Sequence, residues 1–153
     1  MKKGNLYMPI LYYMVGFPGS GKSTYAHKYL ADAVYIGSDT IREELYSDEA
    51  VQCNHAHVFS VAKERAVAAL TDGKNVVMDS TGLLKADRER FLADLPEGTL
   101  VEMVVLHTSL HTCIDRNEAR DRVVPRSRMF AMKRAYVEPT NDECWCIRHV
   151  LNF

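Results

Sequence analysis

Apolar residues fall into short unbroken runs separated by longer stretches in which they recur at helical spacing. The runs Ile10 to Val15 (entered from Pro9), Ala33 to Ile36, Val76 to Asp79 and Leu100 to Leu106 suit buried strands. A looser alternation from Glu143 to Leu151 predicts a last strand. Between them, residues 22–31 contain no Gly or Pro, and residues 54–72 place Val58, Val61, Ala62, Arg65, Ala66, Ala69 and Leu70 at helical spacing before the stop signal Asp72-Gly73. Thr40 and Glu43, three apart, predict a capping box ahead of Ile41 to Tyr46. Further helices are predicted over residues 84–95, 109–118 and 129–136, with Val123-Val124-Pro125 as a break. Strands alternating with helices predict an α/β fold around a mainly parallel sheet with right-handed crossovers.

The first strand runs straight into Gly16-Phe17-Pro18-Gly19-Ser20-Gly21-Lys22-Ser23-Thr24, a complete G-x-x-x-x-G-K-S phosphate-binding loop, and a helix follows. Each fixed residue type has a physical task. Glycines at 16, 19 and 21 let backbone N–H groups converge on an anion, and Lys22 carries a point charge to the β- and γ-phosphates. The Ser23 hydroxyl can ligand Mg²⁺, and the helix dipole favours the anion. Asp79 closes the third strand run, where an acid can hold Mg²⁺ directly or through water, and Ser80-Thr81-Gly82 extends it. The same Asp and Ser could instead cap a helix.

Asp39 lies at the carboxyl end of the second strand, the edge at which open parallel sheets bind ligands. It could take a proton from an incoming hydroxyl, and Arg42 could bind an anion on the acceptor. Alternatively, Asp39 caps the helix and Arg42 pairs with Glu43 or Glu49. From about residue 115 to 128 the chain is basic, with Arg116, Arg120, Arg122, Arg126 and Arg128, and predicts a lid in which Arg116 and Arg120 stand one helical turn apart. Asp115, Glu118 and Asp121 could neutralise one or two of these arginines but not all five.

The chain has 153 residues and suits one domain. Its 19 Lys and Arg stand against 20 Asp and Glu, a net charge of -1, so any nucleic-acid contact must come from a local patch. No secretory-signal pattern and no membrane-length apolar run is present, so a soluble, cytoplasmic protein without membrane contact is expected. The four cysteines form no C-x-x-C pair and read as free thiols, with Cys144 and Cys146 on one strand face. His107 and His111 have a spacing that could share a metal. A strand end meeting a helix start would separate them, which favours structural roles.

Taken in order, Gly-x-Pro-Gly-Ser-Gly-Lys-Ser-Thr, Ser38-Asp39-x-x-Arg42, Asp79-Ser80-Thr81 and Arg116-Asn117-x-x-Arg120 with Val124-Pro125 beyond resemble the 5′-kinase domain of phage-type polynucleotide kinases, from about residue 10 to 136. The resemblance implies a P-loop kinase-type three-layer α/β/α sandwich with a basic helical lid. It also implies transfer of the γ-phosphate of ATP, or another nucleoside triphosphate, with Mg²⁺ to the 5′-hydroxyl of DNA or RNA. On this reading Gly16 to Thr24, Arg116 and Arg120 bind the nucleotide, and Lys22, Asp39 and Arg120 are catalytic, with Asp39 as general base. Asp39 and Arg42 engage the acceptor, Arg42 on its 3′-phosphate, while Ser23 and Asp79 hold the metal. The D-x-D-x-T segment of the accompanying phosphatase is not found, so a kinase unable to remove 3′-phosphates is expected. The module is also similar to zeta-toxin-like, antibiotic-modifying and other small-molecule P-loop kinases. A metabolite, nucleoside or antibiotic acceptor therefore stays open, as does an ATPase or nucleotide switch.

Overall fold

A computed structural model describes residues 7–46, 54–151 and 153. Cys53, Glu49 and the basic N-terminal start lie outside them. Five strands form one all-parallel sheet: β1 (Ile10–Val15), β2 (Val34–Gly37), β3 (Val76–Asp79), β4 (Leu100–His107) and β5 (Cys146–Leu151), in the order β2-β3-β1-β4-β5. Neighbours of β1 lie on both sides, with Tyr13 opposite Met78 of β3 and opposite Met103 of β4. The chain thus leaves β1 toward one half of the sheet and later crosses to the other. The carboxyl end of β1 is therefore the topological switch point, and the phosphate-loop sequence begins there.

Alternation along the strands sorts the core into two layers. Leu11, Tyr13 and Val15 of β1, with Met103 and Val105 of β4, face a layer made by α2 (Ser38–Leu45), α3 (His55–Thr71) and α4 (Lys85–Leu92). Val58, Ala62, Ala66 and Leu70 form the buried stripe of α3, and its small alanines let the helix lie close to the sheet. Met14, Val77, Val104 and Leu106 face the other way, onto Tyr25 and Ala26 of α1 (Lys22–Tyr29). A third cluster packs Phe17 and Leu83 against Cys113 and Ile114 of α5 (Leu110–Glu118) and Met129 of α6 (Arg126–Ala135). Each fully buried large apolar side chain contributes about 1.5–3 kcal/mol, so the lid helices are fastened by their own core.

Three local expectations change. The backbone passes from β2 into α2 without a loop, so Gly37 is the N-cap, Thr40 lies inside the first turn and the Thr40–Glu43 capping box does not form. The helix expected from Met129 begins at Arg126. Pro125 holds its N-cap with a φ of -56, and its carbonyl accepts from the N–H of Arg128 and Met129. A short 3₁₀ turn at Asn141–Glu143 delays β5 to Cys146, so Cys144 precedes the strand and the two-cysteine strand face is not formed.

Candidate active site

The loop after β1 is shaped by backbone conformations that only glycine adopts readily. Gly19 has φ +83 and Gly21 φ +98, and a Cβ on Gly19 would lie 2.4 Å from the Cys113 carbonyl oxygen of α5. Gly21 is the N-cap of α1, whose first turn carries no acidic side chain. The first N–H groups of a helix have no intrahelical acceptor, so they and the dipole are available to an anion. Lys22 is buried and its Nζ donates to the carbonyls of Gly16 (3.0 Å) and Phe17 (3.1 Å). Burial lowers its pKa, opposed by the charges of Asp79 and Asp39. An ammonium in this position gains most from an incoming polyphosphate.

The expected metal pair meets directly. Ser23 Oγ donates to Asp79 Oδ2 at 2.7 Å, joining α1 to the end of β3. Tyr35 OH donates to the same oxygen at 2.5 Å, and burial together with Asp79 raises the pKa of that phenol. A hydroxyl and a carboxylate on hard oxygen atoms, beside the phosphate loop, fit Mg²⁺.

A cavity of about 1550 Å³ opens over the carboxyl ends of the strands. Pro18, Gly19, Gly21, Lys22, Ser23, Thr24, Asp39, Arg42, Asp79, Arg116 and Arg120 all line it, which brings most of the expected residues to one place. Gly16, Phe17 and Ser20 are absent from its wall and serve the loop from behind. The Gly16 N–H donates to Thr81 O at 2.9 Å, Phe17 sits in the lid core edge-on to Tyr136, and Ser20 is fully buried. Asp39, in the first turn of α2, is paired through Oδ1 with Arg42 Nη1 at 2.6 Å and with Arg122 Nη1 of the lid at 3.3 Å. Arg42 Nη2 also lies 3.1 Å from His55 Nδ1. Burial and then the charges of Arg42, Arg128 and Arg122 lower the pKa of His55, favouring neutral imidazole.

In the lid, Arg116 reaches the carbonyls of Gly19 (3.5 Å) and Phe153 (3.4 Å). Helix α5 ends at Glu118, so Arg120 projects from the turn that follows. Among the described residues its guanidinium has no hydrogen-bond partner. Arg126 instead pairs with Glu118, among the described residues the one neutralisation of a lid arginine by the nearby acids. Asn117 closes the turn: its Nδ2 donates to Val124 O at 2.7 Å and its Oδ1 accepts from Val124 N–H at 3.0 Å.

Sequence reasoning overlooked Tyr35, Arg88 and the far wall of the cavity. Arg88 is fully buried, donates to Gly82 O at 2.9 Å and pairs with Glu143 at 2.9 Å, fixing the segment that follows Asp79. Nothing in the spacing of Arg88 and Glu143 signals that contact. Phe59, Lys63 and Glu64 of α3 and Asp87, Arg90 and Phe91 of α4 form that wall, where Lys63 Nζ donates to the carbonyls of Arg90 (3.3 Å) and Ala93. Altogether eight Lys or Arg against four Asp or Glu line it, in a chain of net charge -1.

Solved structures share this fold. A chain in the structure of the Pnkp1/Rnl/Hen1 RNA repair complex has a TM-score of 0.70 and 20% identity. The match covers 86% of this chain and 45% of that one, so this chain spans less than half of its length. A putative kinase from Chloroflexus aurantiacus has a TM-score of 0.74 at 16% identity, covering 94% of this chain and 88% of that one. The Mycobacterium tuberculosis APS kinase CysC, in complex with AMPPNP and APS, has a TM-score of 0.61 at 20% identity, covering 93% and 88%. No protein of curated function matches the chain. Residues 11–139 match the family model AAA_33, described as an AAA domain, and the chain belongs to that family, with a P-loop kinase-type fold that gathers the phosphate loop, the β3 acid and the basic lid at one sheet edge.

Proposed function

We propose that the protein is a polynucleotide 5′-hydroxyl kinase, transferring the γ-phosphate of ATP to the 5′-end of DNA or RNA. The observation that carries this reading is the excess of cations in the cavity of a chain with almost no net charge. A nucleoside triphosphate alone is matched by the loop, Lys22 and the lid. The further cations, Arg42, Arg122 and Arg128 near Asp39 with Lys63 of α3 and Arg90 of α4, suit an acceptor that is itself polyanionic. The RNA repair complex among the structural neighbours supports the same direction.

The N-terminal amides of α1 and Lys22 bind the triphosphate, and Ser23 with Asp79 would hold Mg²⁺. When bound, the ion neutralises charge on the phosphate oxygens. Asp39 accepts the proton of the acceptor hydroxyl as it attacks in line. Arg42 engages the adjacent 3′-phosphate and orients the sugar, for which its guanidinium must be shared between Asp39 and the acceptor. Arg120 turns from the lid onto the transferring phosphoryl group, and Arg116 steadies the loop at Gly19. Arg122 is added to this set by its contact with Asp39.

The test is transfer of label from γ-labelled ATP with Mg²⁺ to a 5′-hydroxyl oligonucleotide, a nucleoside 3′-monophosphate, a bare nucleoside and a no-acceptor control. Labelling of the first two but not the bare nucleoside supports the reading and the role of Arg42. The KM for the oligonucleotide should rise with salt, as a polyanionic acceptor requires. Slow hydrolysis with no acceptor labelled refutes it and directs the search to small hydroxylated metabolites, nucleosides or antibiotics. Turnover that ignores every acceptor and is unchanged by Asp39→Ala would mark an ATPase or switch.

A further inference from the structure

Beyond the cavity, three metal-binding side chains from three separate elements converge where β4 and β5 end. His107 is the last residue of β4, His149 lies on β5, and Glu138 lies in the segment leading out of α6. His107 Nε2 stands 2.7 Å from His149 Nδ1 and 3.9 Å from Glu138 Oε1, and all three ligand atoms lie within 4.8 Å of one another. His111 is elsewhere, 3.5 Å from Asp115 on α5, as the passage from strand to helix between the two histidines predicts. His107 thus finds a metal-ligating partner, but through the pairing of strands rather than the four-residue spacing.

We propose that His107, His149 and Glu138 form a binding site for a divalent cation of the zinc class. Two nitrogens and one carboxylate oxygen are the donors such a borderline ion prefers, whereas Mg²⁺ favours oxygens alone. The site is therefore chemically distinct from the Ser23 and Asp79 pair. Around a tetrahedral zinc with bonds of about 2.0 Å, donor atoms stand about 3.3 Å apart, so separations from 2.7 Å to at most 4.8 Å need adjustments of no more than about 1 Å per ligand. Two imidazole nitrogens at 2.7 Å must share one proton, since two facing lone pairs repel. A cation can replace that proton without rebuilding the site. The backbone is set for it: β4 and β5 are in register at Val105 and His149, and Val137 N–H donates to Leu83 O at 3.0 Å just before Glu138.

The bound ion would clip the exit of lid helix α6 to the sheet. It would also sit beside Thr108, whose hydroxyl donates to Ser20 O of the phosphate loop at 2.8 Å. With three protein ligands on the surface, a fourth position remains for water.

Tag-free protein, stripped with chelator, is titrated with Co²⁺ and followed by visible absorption, then challenged with Zn²⁺. The expected result is one equivalent of Co²⁺ bound with the spectrum of a four-coordinate nitrogen and oxygen site, displaced by Zn²⁺. Saturating Zn²⁺ should raise Tm by about 5 °C. His149→Ala, His107→Ala and Glu138→Gln should each weaken Co²⁺ binding at least about tenfold, a loss of the size that metal-site substitutions cause. All three side chains are surface-exposed, so the variants should keep the metal-free Tm of the parent. No stoichiometric binding, binding unchanged in His149→Ala, or a thiolate charge-transfer band pointing to Cys144 and Cys146 would each overturn the proposal. None of these readouts depends on kinase activity.

Discussion

Arg88→Met removes a guanidinium from the most enclosed ion pair among the described residues. Arg88 and Glu143 side chains are 0% and 3% exposed, joined by Nε to Oε1 at 2.9 Å and Nη2 to Oε2 at 3.3 Å, with Nη1 on Gly82 O. Without Arg88 the carboxylate stays buried and uncompensated, at a cost of about 3–5 kcal/mol. A domain of this size has about 5–15 kcal/mol in total. At about 2–4 °C per kcal/mol, Tm should fall by about 6–20 °C. Arg88→Met with Glu143→Gln removes both charges while leaving an acceptor for Thr140 N–H, which reaches Glu143 Oε2 at 2.8 Å, and should recover most of the loss. Acid gives a second reading. Burial pushes the Glu143 carboxyl up, but Arg88 and the Thr140 N–H outweigh it, and the net pKa lies below 4.5. The folded form then binds fewer protons than the unfolded one, so this contribution is complete above pH ~4.5 and fades as pH falls through the folded pKa. In Arg88→Met the burial effect prevails and the sign reverses, so the gap between parent and variant should narrow from pH 6 to 3. Urea unfolding followed by circular dichroism measures both. A single substitution costing under ~1 kcal/mol, or a double variant no more stable than the single, would refute the reasoning.

Asp39→Asn should lower kcat about 10²–10⁴-fold with ATP affinity nearly unchanged, as loss of the proposed general base requires, measured by labelled transfer beside equilibrium nucleotide binding. Gly19→Ala brings a Cβ to 2.4 Å from Cys113 O at φ +83, and should lower Tm and weaken ATP binding together, because the strain moves the loop against α5. Asn117→Ala deletes both hydrogen bonds to Val124. It should cost about 1–3 kcal/mol and raise the KM for ATP as Arg120 loses its fixed turn, checked by melts and steady-state kinetics.

What the sequence discloses is local. The phosphate loop is one continuous string whose glycines, lysine and flanking strand and helix specify each other within a few residues. Asp79 is legible because it ends an apolar run and Asp39 because it follows one by three residues, and the carboxyl ends of parallel strands meet at one edge. The contacts that were not legible join residues far apart: Tyr35 to Asp79 across 44 positions, Arg88 to Glu143 across 55, His107 to His149 across 42. A charged or polar residue in a helix or strand reads as a solvated position until tertiary packing supplies its partner, and Arg88 inside α4 is the clearest case. Thr40 illustrates the converse error. Its spacing to Glu43 is that of a cap, but β2 runs directly into α2, so Gly37, which has no side chain to cap with, is the N-cap and Thr40 lies inside the first turn.

Asp39 links the two halves of the site. Arg42 comes from its own helix and Arg122 from the lid, yet both address Oδ1, and among the described residues none is bonded to Oδ2, the oxygen the proposed reaction would turn to an acceptor hydroxyl. Asp39 is 62% and Arg122 44% exposed, and ion pairs so open to water contribute only about 0–1 kcal/mol. The contact is therefore easily exchanged for a phosphate of the acceptor. Arg120, which has no hydrogen-bond partner among the described residues, would meet little resistance in turning toward the nucleotide. A stronger pair at Asp39 would lock the lid to α2 without substrate, and a buried one would hold the base too firmly to accept a proton. Weak, exposed pairing to Arg122 would keep the lid near Asp39 while letting Arg122 and the carboxylate exchange partners, as the proposed reaction requires.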